Sequence, residues 1–227
     1  MIEPMRHISI FSPEKFGAKP VNVIGAGATG SKIVMELAKL GIENIHVWDF
    51  DTVEVHNIAN QLYGNQHVGK LKVDALKEII KDFTGTEITT YNEKFVDQPL
   101  FGVVFLLTDT MSSRKEIWEN SIRYKLNVDL MIETRMGAEI GRIYVIDPKL
   151  QHEIKMWEGT LCEDEVTEDS LCGSSVTVGP TAGLVAGYAV WQLIRWFAIQ
   201  DGKEDRIEHE IIFAVRSTYA ETRSVSI

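Results

Sequence analysis

The spacing of apolar residues changes period several times along this chain, and each change marks the edge of an element. Val21 to Ile24 is a short β-branched run that predicts a first strand, and Thr29 to Leu40 places Ile33, Leu37 and Leu40 on one helical face. The alternation then repeats. Ile45 to Trp48 reads as a strand, Lys70 to Phe83 as a helix with Leu71, Leu76, Ile79, Ile80 and Phe83, and Glu87 to Tyr91 as a third strand. Val103 to Leu107 is apolar without interruption, which predicts a central strand covered on both faces. Ser112 to Lys125 follows as a helix, Val128 to Glu133 and Gly141 to Ile146 as strands, and Ile211 to Val215 with Thr222 to Val225 as a hairpin or edge pair. Strands alternating with helices predict an α/β, doubly wound, mostly parallel sheet with C-terminal antiparallel strands.

Two stretches depart from this rhythm. From Pro148 to Ser175 no period holds, and Glu163, Asp164, Glu165, Glu168 and Asp169 gather in seven positions, which reads as a solvated loop. Ser174 to Ile194 is 21 residues without a formal charge, long enough to span a bilayer. Its glycines, Pro180, Ser174, Ser175 and Gln192 dilute the hydrophobicity, so a buried helix is expected rather than a membrane span. Gly179, Gly183 and Gly187 share one face and predict close backbone packing, central or between subunits.

Composition narrows the class. With 44% apolar and 25% charged residues in 227, the chain is an ordinary globular one, and no repeat or linker divides it, so residues 1–227 are expected to form one domain. The net charge of −10 repels a phosphodiester backbone, so no nucleic-acid partner is expected. Two cysteines, Cys162 and Cys172, allow at most one disulfide and are too few for a structural zinc site. The first twenty residues carry Glu3, Arg6, Glu14, Lys15 and Lys19 with no apolar leader, which favours a cytoplasmic protein.

The chemistry begins at Gly25-Ala26-Gly27-Ala28-Thr29-Gly30, a GxGxxG between a predicted strand and a predicted helix. Such a Rossmann-like turn gives a tight bend at the first glycine, phosphate access at the second and close helix packing at the third, with free amides aimed at an anion. Asp49 lies nineteen residues after Gly30, at the end of the second strand, where a carboxylate accepts hydrogen bonds from ribose hydroxyls. This pairing leaves open which nucleotide is bound.

The following residues are more selective. Asp49-Phe50-Asp51-Thr52-Val53-Glu54-Val55-His56-Asn57, then Gly69-Lys70-Leu71-Lys72, Thr108-Asp109 and Arg114 resemble the ThiF/MoeB/HesA family of adenylating enzymes, whose fold is shared with the ubiquitin-activating enzymes. Met136 to Arg142, with its glycines, and Cys172 before a Gly-rich helix extend the resemblance over most of the chain. The resemblance implies an ATP- and Mg²⁺-dependent homodimer that activates a carboxylate as its acyl-adenylate. It implies that Gly25, Ala26, Gly27, Gly30, Asp49 and Asp51 surround the nucleotide, with Asp49 on the ribose. Asn57 and Lys72 would contact phosphates, Asp109 would hold Mg²⁺, and 148–175 would be a crossover loop. The implied partner is a ubiquitin-like or sulfur-carrier protein ending in Gly-Gly.

The chain also departs from the family pattern. Where the family carries an arginine three residues after its asparagine, this chain has Asn60, and an amide does not replace a guanidinium. Arg6 is the early arginine that could pass into a neighbour's site, and Cys172 is the thiol that could accept an acyl group, although the acids beside it raise a thiol pKa. The paired zinc cysteines are missing, so zinc is not expected. Two alternatives stay open: adenylation of a small-molecule carboxylate, and a non-catalytic nucleotide-binding scaffold.

Overall fold

The computed structural model describes residues 2–164 and 177–224. Among the described residues eight strands form one sheet, in the order β3-β2-β1-β4-β5-β6-β7-β8. Strands β1 (Val21–Ile24), β2 (Ile45–Trp48), β3 (Thr89–Tyr91), β4 (Gly102–Leu106) and β5 (Val128–Met136) pair in parallel. Strands β6 (Ile140–Ile146), β7 (Glu210–Ala214) and β8 (Tyr219–Arg223) continue the sheet antiparallel. The mostly parallel, doubly wound architecture predicted from the alternating pattern is therefore present.

Period-2 alternation divides the core into two layers. Val21, Val23, Val103 and Phe105 point to one face, where α2 (Gly30–Lys39), α3 (Lys72–Thr84) and α6 (Gly179–Gln200) contribute Ile33, Leu37, Leu76, Val185 and Leu193. Ile24, Val104 and Leu106 point to the other, against Ile117 of α4 (Met111–Ile117), Trp118, and Ile154 and Trp157 of α5 (Gln151–Glu158). Near the N-terminus, α1 (Pro13–Phe16) adds Phe16 to an aromatic group with Phe11 and Phe197.

Four expectations need correction. The stretch 148–175 is not all loop: Gln151–Glu158 is helical, because Ile154 and Trp157, three residues apart, find an apolar sheet face. The helix expected over Ser112 to Lys125 is regular only to Ile117 and continues as a π-turn through Ile122. Strand β5 runs past Glu133 to Met136, since Glu133 and Arg135 are buried as a pair. The last strand is Tyr219–Arg223 rather than Thr222 to Val225, and residue 225 lies outside the described residues.

The 22-residue α6 is long and apolar enough to cross a bilayer by composition, yet Val185, Ala189 and Leu193 pack on α2 and the sheet. Its glycine stripe behaves otherwise than predicted within one chain. A Cβ on Gly179 would meet the Ala59 carbonyl at 3.1 Å, whereas Gly183 and Gly187 face open space beside exposed Leu184, Tyr188 and Trp191.

One polar cluster sits inside the α4/α5 layer. Glu133 is fully buried on β5, with Arg114 Nε at 3.2 Å and Arg135 Nε at 3.0 Å. Trp157 Nε1 donates to the same carboxylate at 3.1 Å. Arg135 lies over the Tyr144 ring and donates to the Thr160 carbonyl at 2.8 Å and to Thr160 Oγ1 at 2.9 Å, while Arg114 donates to the Thr134 carbonyl. Removing the anion would leave two buried guanidinium groups without their counter-charge. Glu133→Ala is expected to lower unfolding free energy by about 3–5 kcal/mol, measured by urea denaturation. A loss no larger than that of a surface Glu→Ala control would contradict this account.

Candidate functional site

Chain order reverses between β1 and β4: β2 and β3 lie on one side of β1, and β4 starts the other. A doubly wound sheet opens a crevice at that point, beyond the carboxyl ends of the strands. A cleft of about 1080 Å³ occurs there, lined by residues following β1, β2 and β4.

The glycine turn forms its floor. Gly25 has φ +103°, and a Cβ there would stand 2.8 Å from the Leu107 carbonyl oxygen of the neighbouring strand end. A Cβ on Gly30 would stand 1.9 Å from the Gly25 carbonyl oxygen, so the turn closes only with glycine at both places. At Gly27 a Cβ would meet nothing within 4 Å, and Gly27 lines the cleft, which fits the position read as open to phosphate.

Asp49 ties this turn to β2. Its carboxylate accepts the Ala26 amide at 2.7 Å and the Asp51 amide at 2.9 Å, and Tyr63 donates its hydroxyl to the Ala26 carbonyl at 2.7 Å. Burial pushes the Asp49 carboxyl above its ordinary pKa, against the pull of Lys72 and the two amides. Burial likewise raises the Tyr63 phenol, which keeps it a donor. Lys72 opens α3 with its side chain almost fully buried and its ammonium 2.7 Å from Asp51 Oδ2. Asp109 is exposed in the turn between β4 and α4 and lines the same cleft. Trp48 and Phe95, edge to face, and Ile24 give the cleft an apolar part of its lining.

Other predicted residues fall elsewhere. Asn57 is buried in a 3-10 turn, where its side-chain oxygen accepts the Glu54 amide, and it does not line the cleft. Arg6 is exposed in a segment that meets the far end of α2, where His7 bonds the Leu40 carbonyl, so it does not reach this chain's cleft. Cys172 lies outside the described residues, and Cys162 does not line the cleft.

Several contributors were given no role by the sequence, Arg114 and Thr108 among them although both belong to the motif. Arg114 and Thr134 line the cleft, so the Glu133 cluster forms part of its wall; burial lowers the Arg114 pKa, opposed by Glu133. The signal for this was a Glu-Thr-Arg triplet directly after an apolar strand. Thr108 Oγ1 and Gln61 Oε1, both belonging to cleft-lining residues, are buried without a hydrogen-bond partner among the described residues. Buried polar atoms left open in this way mark a place where a ligand completes the bonding. Asp164 accepts the Met111 and Ser112 amides at the start of α4, and Thr177 bonds Asn60. The two ends flanking residues 165–176 thus both stand at the cleft rim.

The chemistry of the cleft fits a nucleotide: an apolar wall for a base, a carboxylate for ribose, an amide turn and a lysine for phosphates, and a rim carboxylate suited to a hard cation. Among curated proteins, the chain is 28% identical over 143 residues to SUMO-activating enzyme subunit 2 of Dictyostelium discoideum, covering 59% of this chain and 21% of that protein. It is 33% identical over 102 residues to the NEDD8-activating enzyme E1 catalytic subunit of Arabidopsis thaliana, covering 42% of this chain and 22% of that one. The chain thus spans about a fifth of the length of these relatives. In fold it is similar to PaaA, at a TM-score of 0.71 and 19% identity over 93% of this chain and 74% of the other. It is also similar to E. coli MccB solved with ATP, at 0.68 and 14% over 93% and 64%. The sequence matches the ThiF family over residues 7–222, from the N-terminal turn through the last strand, and the chain belongs to that family.

Proposed function

We propose that this chain binds ATP with Mg²⁺ in the cleft and activates a carboxylate as its acyl-adenylate. The observation that carries this reading is the convergence of the glycine turn, Asp49, Lys72 and Asp109 on one crevice. The turn amides and Lys72 would hold phosphate oxygens, Asp49 would accept the ribose hydroxyls, and Asp109 would hold the cation beside them. Bound there, Mg²⁺ would supply charge neutralisation on the transferring phosphate. An acyl carboxylate oxygen attacks the α-phosphorus, a P–O bond forms, and the bond to pyrophosphate breaks. Lys72 and the amides, fixed in advance by Asp51 and by the Asp49–Ala26 bond, spare reorganisation as charge builds.

The acyl group we propose is the C-terminal glycine of a ubiquitin-like or sulfur-carrier protein. The names of the relatives, one SUMO-activating and one NEDD8-activating, support this class. A flexible tail could reach the cleft between the rim positions of Asp164 and Thr177. We also propose a homodimer, because exposed Leu184, Tyr188 and Trp191 on α6 form an apolar stripe beside two glycines that leave room for another backbone.

Three outcomes follow. Carrier-dependent exchange of pyrophosphate into ATP is expected, and Asp109→Ala should lower it by at least roughly 100-fold; exchange that survives the substitution would remove Asp109 from the site. ATP binding with no exchange toward any carboxylate would leave only the scaffold reading, which Asn60 favours.

ATP affinity should fall on acidification at a higher pH than an exposed aspartate would give. The ribose hydroxyls donate to ionised Asp49, whose pKa is raised, so affinity is constant above that pKa and declines as pH drops through it. Titration calorimetry on Asp49→Asn should show this acid limb abolished; an unchanged limb would assign it to another group.

Tyr188→Glu should halve the mass seen by light scattering. A wild-type mass of one chain would dismiss the homodimer.

A further inference from the structure

Among the described residues, every cation that lines the cleft already has a carboxylate. Lys72 is on Asp51 at 2.7 Å, Arg114 on Glu133 at 3.2 Å and Lys94 on Glu116 at 3.2 Å. Asp49, Glu93 and Asp109 line the cleft as well, so an incoming polyphosphate meets few uncommitted positive charges.

Lys32 differs from these: it does not itself line the cleft but stands directly behind a residue that does, Ala28. It is the third residue of α2, and a helical side chain leans toward the N-terminus, so its ammonium lies against the glycine turn. Nζ is 3.3 Å from the Ala28 carbonyl oxygen and also donates to the Asn60 carbonyl. Ala28 lines the cleft. An ammonium has three N–H donors, and these two carbonyls take two of them. No carboxylate stands within ion-pair distance of Lys32 among the described residues; burial alone acts on it, lowering its pKa.

Direction along the turn says which part of a nucleotide would meet it. Asp49, the ribose end, bonds the amide of Ala26. Ala28 lies two residues further toward α2, on the side to which the phosphate chain runs over the helix N-terminus.

Resting on the nucleotide reading above, we propose that Lys32 is a phosphate-contacting residue, its ammonium donating to the terminal phosphates of a nucleoside triphosphate while still held by the Asn60 carbonyl. The cation would thus reach the phosphates from the helix side of the turn. Its Asn60 bond also sets it between the glycine turn and the segment that carries Thr177's partner.

The test compares ATP with AMP, both with Mg²⁺, by titration calorimetry on the full chain. Lys32→Met should weaken ATP roughly 10- to 100-fold, as expected for a lost charge-assisted hydrogen bond, and change AMP less than about twofold. Lys32→Arg should recover most of the ATP affinity. If Lys32→Met does not fold, Lys32→Gln keeps a donor for the Asn60 carbonyl and removes the charge, and the same ratio is read. Parallel losses for ATP and AMP, or no loss for either, would overturn the inference while leaving the cleft a nucleotide site. Wild-type protein that binds neither nucleotide would overturn the nucleotide reading and this inference with it.

Discussion

A carboxylate with no access to water must be surrounded by donors, and Glu133 meets that demand with two guanidinium groups and an indole. The consequence reaches beyond the cluster. Arg114 belongs to α4, Arg135 to the same strand as Glu133, and Trp157 to α5, so one anion fixes two helices to the sheet. Arg114 then presents a rigid wall to the cleft, and Arg135 holds Thr160, where the chain leaves α5 for the rim. An apolar core of the same volume would hold the layers together as well, but it would not orient these polar groups.

The cleft itself follows from topology. Because β1 lies between β2 and β4, the loops after β1 and β4 diverge to opposite faces, and a gap opens above their ends. The glycines allow the turn after β1 to sit within van der Waals distance of the Leu107 carbonyl, which keeps the gap narrow at its base. The Asp49 carboxylate, accepting two amides, then fixes the turn without needing a side chain from the turn itself.

How much of this the sequence discloses depends on the range of the interaction. The strand and helix rhythm, the glycine turn and Asp49 are local signals, and their positions in the fold match the reading. Lys72 and Asp109 were legible as motif members, and they share the cleft because strand order brings the ends of β1, β2 and β4 together. What local pattern missed was long-range pairing. A charged residue after an apolar run reads as a strand end, yet Glu133 continues β5 because Arg114, nineteen positions earlier, neutralises it. Helix α5 carries too few apolar positions to declare itself, and Ile154 and Trp157 make sense only against the sheet face they cover. Asn57 shows the opposite case, a motif residue whose side chain serves a local cap in the unliganded fold.

The acid balance of the chain and the anion-binding form of its cleft are reconciled by distance. At a net charge of −10 the far field opposes an approaching polyphosphate, but that field is screened within about 8–10 Å in physiological salt. At the cleft the groups proposed to meet it would act at hydrogen-bond distance: turn amides at the start of α2, the Lys72 ammonium held by Asp51, and, behind the turn, the Lys32 ammonium held by carbonyls. A carboxylate partner orients the buried Lys72 ammonium, and the exposed Asp51 can remain solvated when the lysine turns to a ligand. On the proposed reading, directional donors at short range would decide what binds, and net charge only how fast an anion arrives.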